Sequence, residues 1–284
     1  MDPRPETCRD DVASVTVKTY EMNIIALIKQ VPDTAQLSST VDGLQLMQDG
    51  QPRIVNPWDE YTLETAIQLK EAHSGKVTVL TIGKPEAAEA LKTGLAMGAD
   101  EAILISDPAT QGGDSLATAR VLVAAIQKLG VFDIVVAGRA SIDENHAATA
   151  VQVAALLNVP PISNVAELTV DPGAGTLAAV RLLETGRETV SSTLPAVVTV
   201  VKEIYEPRYP TFIGIRKAAG ADIPTWRIAD LGLEAGQVGA AGSQMILSDL
   251  ELPAVREASL EMIEGEPDDA ARSLVDRLIA DQVV

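Results

Sequence analysis

The sequence predicts an α/β fold built on a mostly parallel sheet with helices on both faces. Two observations carry that expectation. Apolar, β-branched runs alternate with helix-type stretches from Asn23 to Leu157, and the joins are short, the β-α-β-α order that winds a parallel sheet. The composition suits such a core: 46% of residues are hydrophobic but only 3% are aromatic, so Val, Ile, Leu and Ala must fill buried strands and the helices that cover them.

Asn23–Ile28 reads as the first strand. Pro32 lacks an N–H, so the strand should stop before it and Lys29–Thr34 should form a loop. Val41–Ile54 holds two turn signals, Asp42-Gly43 and Asp49-Gly50, and is expected to form a small hairpin. A helix follows with Asn56 as its cap and Pro57 in its first turn; it should run to about His73 and end at Gly75. Lys76–Ile82 is a buried strand closed by Gly83, Pro85 opens a helix to Met97, and Glu101–Ile105 is a third strand. Asp114 caps a helix over Ser115–Leu129. The strand Val131–Ala137 breaks at Gly138, and an Ala-rich helix, Ala147–Leu157, stops before Pro160 and Pro161.

Beyond Pro161 the pattern changes. Asn164–Val170, Thr176–Leu183 and Arg187–Ser192 read as antiparallel strands, and Pro195–Val201 returns to the sheet. Tyr205–Pro210 is a proline-bounded exposed loop, and Phe212–Ala219 is a helix. Small residues from Leu233 to Pro253 suggest an extended linker. A final helix, Asp268–Ala280, places Leu274, Val275, Leu278 and Ile279 at helical spacing, a face that needs a cover. The expected organisation is a disordered or non-native extension over 1–21, an α/β domain over 22–232 and a C-terminal arm over 233–284. Residues 1–21 lack the apolar run of a secretion signal and are too acidic for a mitochondrial presequence, so a cytoplasmic protein is expected.

A net charge of −18, from 22 basic and 40 acidic residues, argues against a nucleic-acid partner and an anionic membrane surface. Cys8 is the sole cysteine, and His73 and His146 lie far apart, which removes disulfides and the common zinc sets. Ligands of parallel sheets bind at the carboxyl ends of strands, here Lys29, Gly83 and Gly138, with Asn56 near the same edge. A strand, a glycine and a helix opening at 138–149 present unpaired N–H groups suited to phosphate. An ordinary strand-to-helix turn has the same pattern, and neither G-x-G-x-x-G nor a Walker lysine decides between them.

Several motifs, in order, resemble the beta subunit of the electron-transfer flavoproteins. The most specific are Glu184–Val190, Leu194–Val200 and Glu206–Pro210; Met22–Asp33, Asn56–Glu60, Leu95–Asp100, Gly138-Arg139 and Ile142-Asp143 agree with them. The resemblance covers roughly residues 22–232. It implies a three-layer α/β/α domain of the adenine-nucleotide-binding type, with a small antiparallel insertion and a C-terminal arm whose helix packs on a partner subunit. It implies a heterodimer with an alpha subunit, an FAD shared with that subunit, and AMP or a second FAD in this chain. Carried over residue by residue, the pocket comprises Leu27, Asn56, Pro57, Trp58, Asp59, Ile82, and the loop Gly138, Arg139, Ala140, Ser141, Ile142, Asp143, Glu144, Asn145, His146, Ala147, Ala148 and Thr149. Phosphate is expected at the N–H groups near Ala147–Thr149 and at the Thr149 hydroxyl. Asp143 is expected to hold the loop by accepting backbone N–H bonds, and Arg139 to pair with phosphate or with an acid.

The resemblance also implies that Ile204, Tyr205, Pro207, Arg208 and Tyr209 dock a flavin-dependent dehydrogenase such as an acyl-CoA dehydrogenase, with Ile204 as an exposed anchor. Electrons would then pass to a quinone-linked acceptor. The sequence departs from many relatives at Ala148-Thr149-Ala150, where a glutamine amide is lost, and at His146. Ile223–Trp226 and the long tail are more similar to the electron-bifurcating and anaerobic groups, in which a second FAD in this chain is reduced by NADH. Two rivals are an adenine-nucleotide hydrolase, which would carry an S-G-G-x-D-S-like loop where Lys29–Asp33 stands, and a stand-alone nucleotide sensor.

Overall fold

The computed structural model describes residues 21–36, 52–246 and 262–283. They fall into two compact units, divided between Leu247 and Ser248. The expected N-terminal extension and most of the expected hairpin at 41–54 lie outside the described residues.

The first unit opens with β1 (Asn23–Leu27), then β2 (Gln30–Pro32) and β3 (Arg53–Val55), which pair antiparallel. The stretch expected as a loop after the first strand therefore contributes one strand of a two-stranded ladder, with Pro32 as the last residue of β2. Next come α1 (Pro57–His73), β4 (Lys76–Ile82), α2 (Ala88–Met97), β5 (Glu101–Ile105), α3 (Ser115–Leu129), β6 (Ile134–Gly138) and α4 (Thr149–Leu157). Then follow β7 (Pro161–Asp171), β8 (Thr176–Leu183), β9 (Gly186–Thr193), β10 (Ala196–Val200), α5 (Phe212–Ala219), β11 (Thr225–Trp226) and the single turn α6 (Gly239–Gly242).

Nine strands form one sheet in the order β11-β5-β4-β1-β6-β10-β7-β8-β9. The pairs from β11 through β10 to β7 are parallel; β7–β8 and β8–β9 are antiparallel. The antiparallel insertion is thus continuous with the main sheet: the start of β7 runs beside β10, and its remainder turns to β8. Strand residues alternate between the two faces, as a period of two requires. Ile24, Ala26, Val136 and Val198 pack with Leu63, Ile67 and Leu91 of α1 and α2. Ile25, Leu27, Val135 and Val197 pack with Val121 and Ile126 of α3 and Val153 of α4. The result is three layers.

Local details differ from the sequence reading for steric reasons. The left-handed residue after α1 is Ser74, at φ 53°. Gly75 is needed for a close approach instead: a Cβ there would stand 2.8 Å from the Met22 carbonyl oxygen. Strand β6 starts at Ile134 rather than Val131, which is 82% exposed. Residues 233–246 of the expected linker fold onto the first unit: Asp114, which caps α3 through the Ala117 N–H at 2.8 Å, also accepts the N–H groups of Gln244 and Met245. The second unit contains α7 (Pro267–Ala280), an amphipathic helix with no buried residue.

Candidate functional site at the sheet switch point

From β1 the chain winds outward through β4 and β5, then crosses back to place β6 on the other side of β1. The carboxyl ends of β1 and β6 flank the point where the winding reverses, the usual ligand crevice of such sheets. The opening turn of α1 closes over that point. Asn56 donates its N–H to the Lys29 carbonyl at 2.8 Å. Its side chain does not cap α1. It is 1% exposed, its Nδ2 donates to the Ala140 carbonyl at 2.9 Å, and its Oδ1 accepts the Ile142 N–H at 3.1 Å. One amide therefore fixes the path of the loop after β6, as a peptide group would.

Asp59 ties the two strand ends together. Its Oδ2 accepts the Lys29 N–H at 2.7 Å, and the Gly138 N–H also bonds its carboxyl. Gly138 is required here, because a Cβ would collide with Asp59 Oδ1 and stand 3.0 Å from the Trp58 Cβ. Burial pushes the Asp59 carboxyl up to about 7, against the opposing pull of its hydrogen bonds from Lys29, Asn56 and Gly138.

Charges line the outer part of the loop. Lys29 Nζ lies 2.9 Å from Asp143 and 3.1 Å from Glu144. Burial raises the Asp143 carboxyl, but hydrogen bonds from Ser141 and Lys29 outweigh it and hold the group below the ordinary carboxylate value. Its main partners are thus a lysine and a hydroxyl, where acceptance from the loop backbone was expected. The Arg139 guanidinium lies over the Trp58 ring at 5.7 Å. His146 Nδ1 is 3.8 Å from Glu144 Oε2 on an exposed stretch. Asn145 and Ala147 adopt left-handed φ values of 51° and 52°. For alanine that conformation is strained, and such strain concentrates where a loop meets a ligand.

Helix α4 begins at Thr149, two residues later than predicted, and no side chain caps it. Its first N–H groups have no intrahelical acceptor. Gln152, also in the opening of α4, has a buried Oε1 without a hydrogen-bond partner. Helix α4 thus opens on bare donors and carries an unpaired side-chain acceptor one turn in. Among the described residues no cluster of metal-ligating side chains occurs, and no helix is long and apolar enough to cross a membrane.

The structure thus gathers Asn56, Pro57, Trp58, Asp59 and the loop from Gly138 to Thr149. Leu27 and Ile82 lie on the face toward α3 and α4, the first buried and the second half-buried against the core. Lys29 and Gln152 were not singled out as site residues from sequence. Lys29 had one legible signal, its place at the end of the first strand; Gln152 had none.

The loop after β10 differs from the expectation at its anchor. Ile204 is 8% exposed and belongs to the core on the α1 side, so it is not a free knob. Tyr205 is half-buried against the same core. Arg208 forks onto two glutamates of α1: Nε and Nη2 donate to Glu64 at 2.9 Å, and Nη1 donates to Glu71 at 2.7 Å. Tyr209 at 93%, Phe212 at 81% and Ile213 at 79% exposure are the outward groups.

A three-layer α/β/α sheet with its crevice at the switch point places the chain among doubly wound α/β proteins. Comparison with known proteins narrows this. The electron transfer flavoprotein domain matches residues 43–231. The chain is 37% identical over 264 residues, 93% of its length and 100% of the relative's, to the electron transfer flavoprotein subunit beta of Thermoanaerobacterium thermosaccharolyticum. It is 37% identical to the caffeyl-CoA reductase-Etf complex subunit CarD of Acetobacterium woodii, over 90% of this chain and 98% of that one. It is 33% identical to the protein FixA of Azorhizobium caulinodans, over 89% and 92% respectively. The chain belongs to the electron transfer flavoprotein family, on its beta-subunit branch, and is an electron carrier component rather than a classical enzyme.

Proposed function

We propose that this chain is the beta subunit of a heterodimeric electron-transfer flavoprotein and binds AMP at the corner between β1, β6 and α4. The observation that carries the reading is the combination at α4: an uncapped start, two left-handed residues before it, and the orphaned Gln152 carbonyl. Phosphate would be met by the N–H groups at Ala148–Ala150 and the Thr149 hydroxyl. Asn56 and Asp59 act earlier in the chain of causes: they hold the loop and the strand ends so that those donors converge. Arg139, laid on Trp58, supplies a positive charge at the rim.

An FAD shared with an alpha subunit would supply the redox chemistry. This chain's part is to wall one side of that flavin, to exclude water from it and to present a docking face. We assign that face to Tyr209 with Pro207, held by Arg208, for a flavin-dependent dehydrogenase; electrons would leave to a quinone-linked acceptor. The apolar face of α7, with Leu274, Val275 and Ile279, fits contact with the alpha subunit.

One observation favours a second reading, in which NADH reduces a second FAD bound here. Residues Ile223–Trp226, similar to those of the bifurcating groups, lead into and include the edge strand β11 (Thr225–Trp226) beside β5. Denaturing the purified heterodimer and quantifying released cofactors separates the two. One FAD and one AMP per heterodimer supports the carrier; two FAD and no AMP supports bifurcation and overturns the AMP assignment.

A further inference from the structure

We infer that Lys29 is the charge gate of this corner: its ammonium neutralises Asp143 and Glu144 so that an anionic phosphate is tolerated beside a loop bearing two carboxylates. The inference rests on the nucleotide reading above and adds to it a residue that selects for the charged ligand.

The geometry separates this role from a merely structural one. Lys29 is pinned on both sides of its own backbone, its N–H to Asp59 Oδ2 at 2.7 Å and its carbonyl to the Asn56 N–H at 2.8 Å. Its ammonium therefore starts from a fixed point at the end of a buried strand. The loop is already held elsewhere, by the Asn56 amide on Ala140 and Ile142. What Nζ adds is charge. It meets Asp143, a mostly buried carboxylate at 16% side-chain exposure, and Glu144 at 59%. Arg139, the cation on the loop itself, lies over Trp58, and His146 sits beside Glu144. Without Lys29 the loop would carry two uncompensated carboxylates, six and five residues before the first residue of α4, in a chain of net charge −18. A dianionic phosphate would meet repulsion that bare N–H groups do not offset.

The test compares AMP with adenosine, which lacks the phosphate, by calorimetric titration of the full chain after nucleotide removal. In Lys29→Met, AMP should loosen by about tenfold or more while adenosine shifts by less than about twofold, because only the phosphate feels the unmasked acids. The difference should shrink as sodium chloride is raised. Lys29→Arg should bind AMP as the parent does. Adding Asp143→Asn and Glu144→Gln to Lys29→Met should restore AMP binding to within about threefold of the parent. Asp143→Asn with Glu144→Gln, in the presence of Lys29, should tighten AMP and leave adenosine unchanged, which tests the idea even if Lys29→Met unfolds. Equal losses for AMP and adenosine, or no recovery on removing the acids, would assign Lys29 to holding the loop and overturn the gate. A parent chain that binds no AMP would overturn the nucleotide reading itself, and the gate with it.

Discussion

The loop after β6 and the loop after β10 leave neighbouring strands on the same side of the sheet, and both are tied to α1. The ties differ in kind. The first loop meets the opening turn of α1 through the Asn56 amide and the Asp59 carboxyl, both at most 5% exposed and both bonded to main-chain atoms. The second meets the middle and end of α1 through the Arg208 guanidinium on Glu64 and Glu71. Neutral amides and a carboxyl with a raised pKa fix where backbone donors point, as a site for backbone recognition requires. An ion-pair fork fixes one side chain and leaves Tyr209 projecting outward, as a docking loop requires. One helix of 17 residues thus sets the position of both loops, with a different chemistry at each end.

The largest expected effect probes the first tie. The folded-state pKa of Asp59, about 7, lies above its value in the unfolded chain, about 4. Between those values the folded protein holds a proton that the unfolded chain has released, so this group's contribution to stability falls as pH rises from 4 to 7. Asp59→Asn removes the titration. The stability of Asp59→Asn relative to the parent should therefore rise by about 4 kcal/mol between pH 4 and pH 8. Urea unfolding across that range checks it; parallel pH curves for the two proteins would place the Asp59 pKa near the ordinary carboxylate value.

The second tie should respond to loss of charge. Glu64 is 2% exposed, and its partners are Arg208 and Gln68. Burial raises its carboxyl, but the Arg208 and Gln68 bonds more than offset this, so the group stays ionised. Arg208→Met strands that charge and should cost about 3 kcal/mol in urea unfolding at pH 7. Lowering the pH should recover part of the loss, since protonated Glu64 no longer needs a cation. A cost under about 1 kcal/mol would mean that the fork is solvated and contributes little.

Much of this architecture was legible in the sequence, and the reasons for the rest are physical. Strand and helix order followed from β-branched runs and short joins. The parallel sheet was predictable because few aromatics and many β-branched residues suit strands buried on both faces. Asn56 and Asp59 were identified by motif, but Asn56 was expected to cap α1, a local role. Its actual partners lie 84 and 86 residues away, beyond any local pattern. The same limit hid Lys29 from the site list: its partners Asp143 and Glu144 become neighbours only when β6 lands beside β1. Ile204 was misplaced for the opposite reason. A single apolar residue before a polar loop reads equally as a strand end or an exposed knob, and here Glu64 and Glu71 draw Arg208 onto α1 while Ile204 joins the core.

The smallest effect sharpens the comparison most finely. Glu71 shares the Arg208 fork with Glu64, but its side chain is 53% exposed, and Arg208 is the main cause holding its carboxyl below the ordinary value. Water already solvates it, and a glutamine there keeps an oxygen for Nη1. Glu71→Gln should therefore cost about 0.5 kcal/mol, and less in high salt. Set beside Arg208→Met, this separates two contributions that the geometry presents as one network. If burial decides the strength of the tie, the two α1 glutamates will differ severalfold despite near-equal distances to the guanidinium. If Glu71→Gln costs as much as Arg208→Met, the two acids act as a unit, and the loop is held by the whole fork rather than by its buried half.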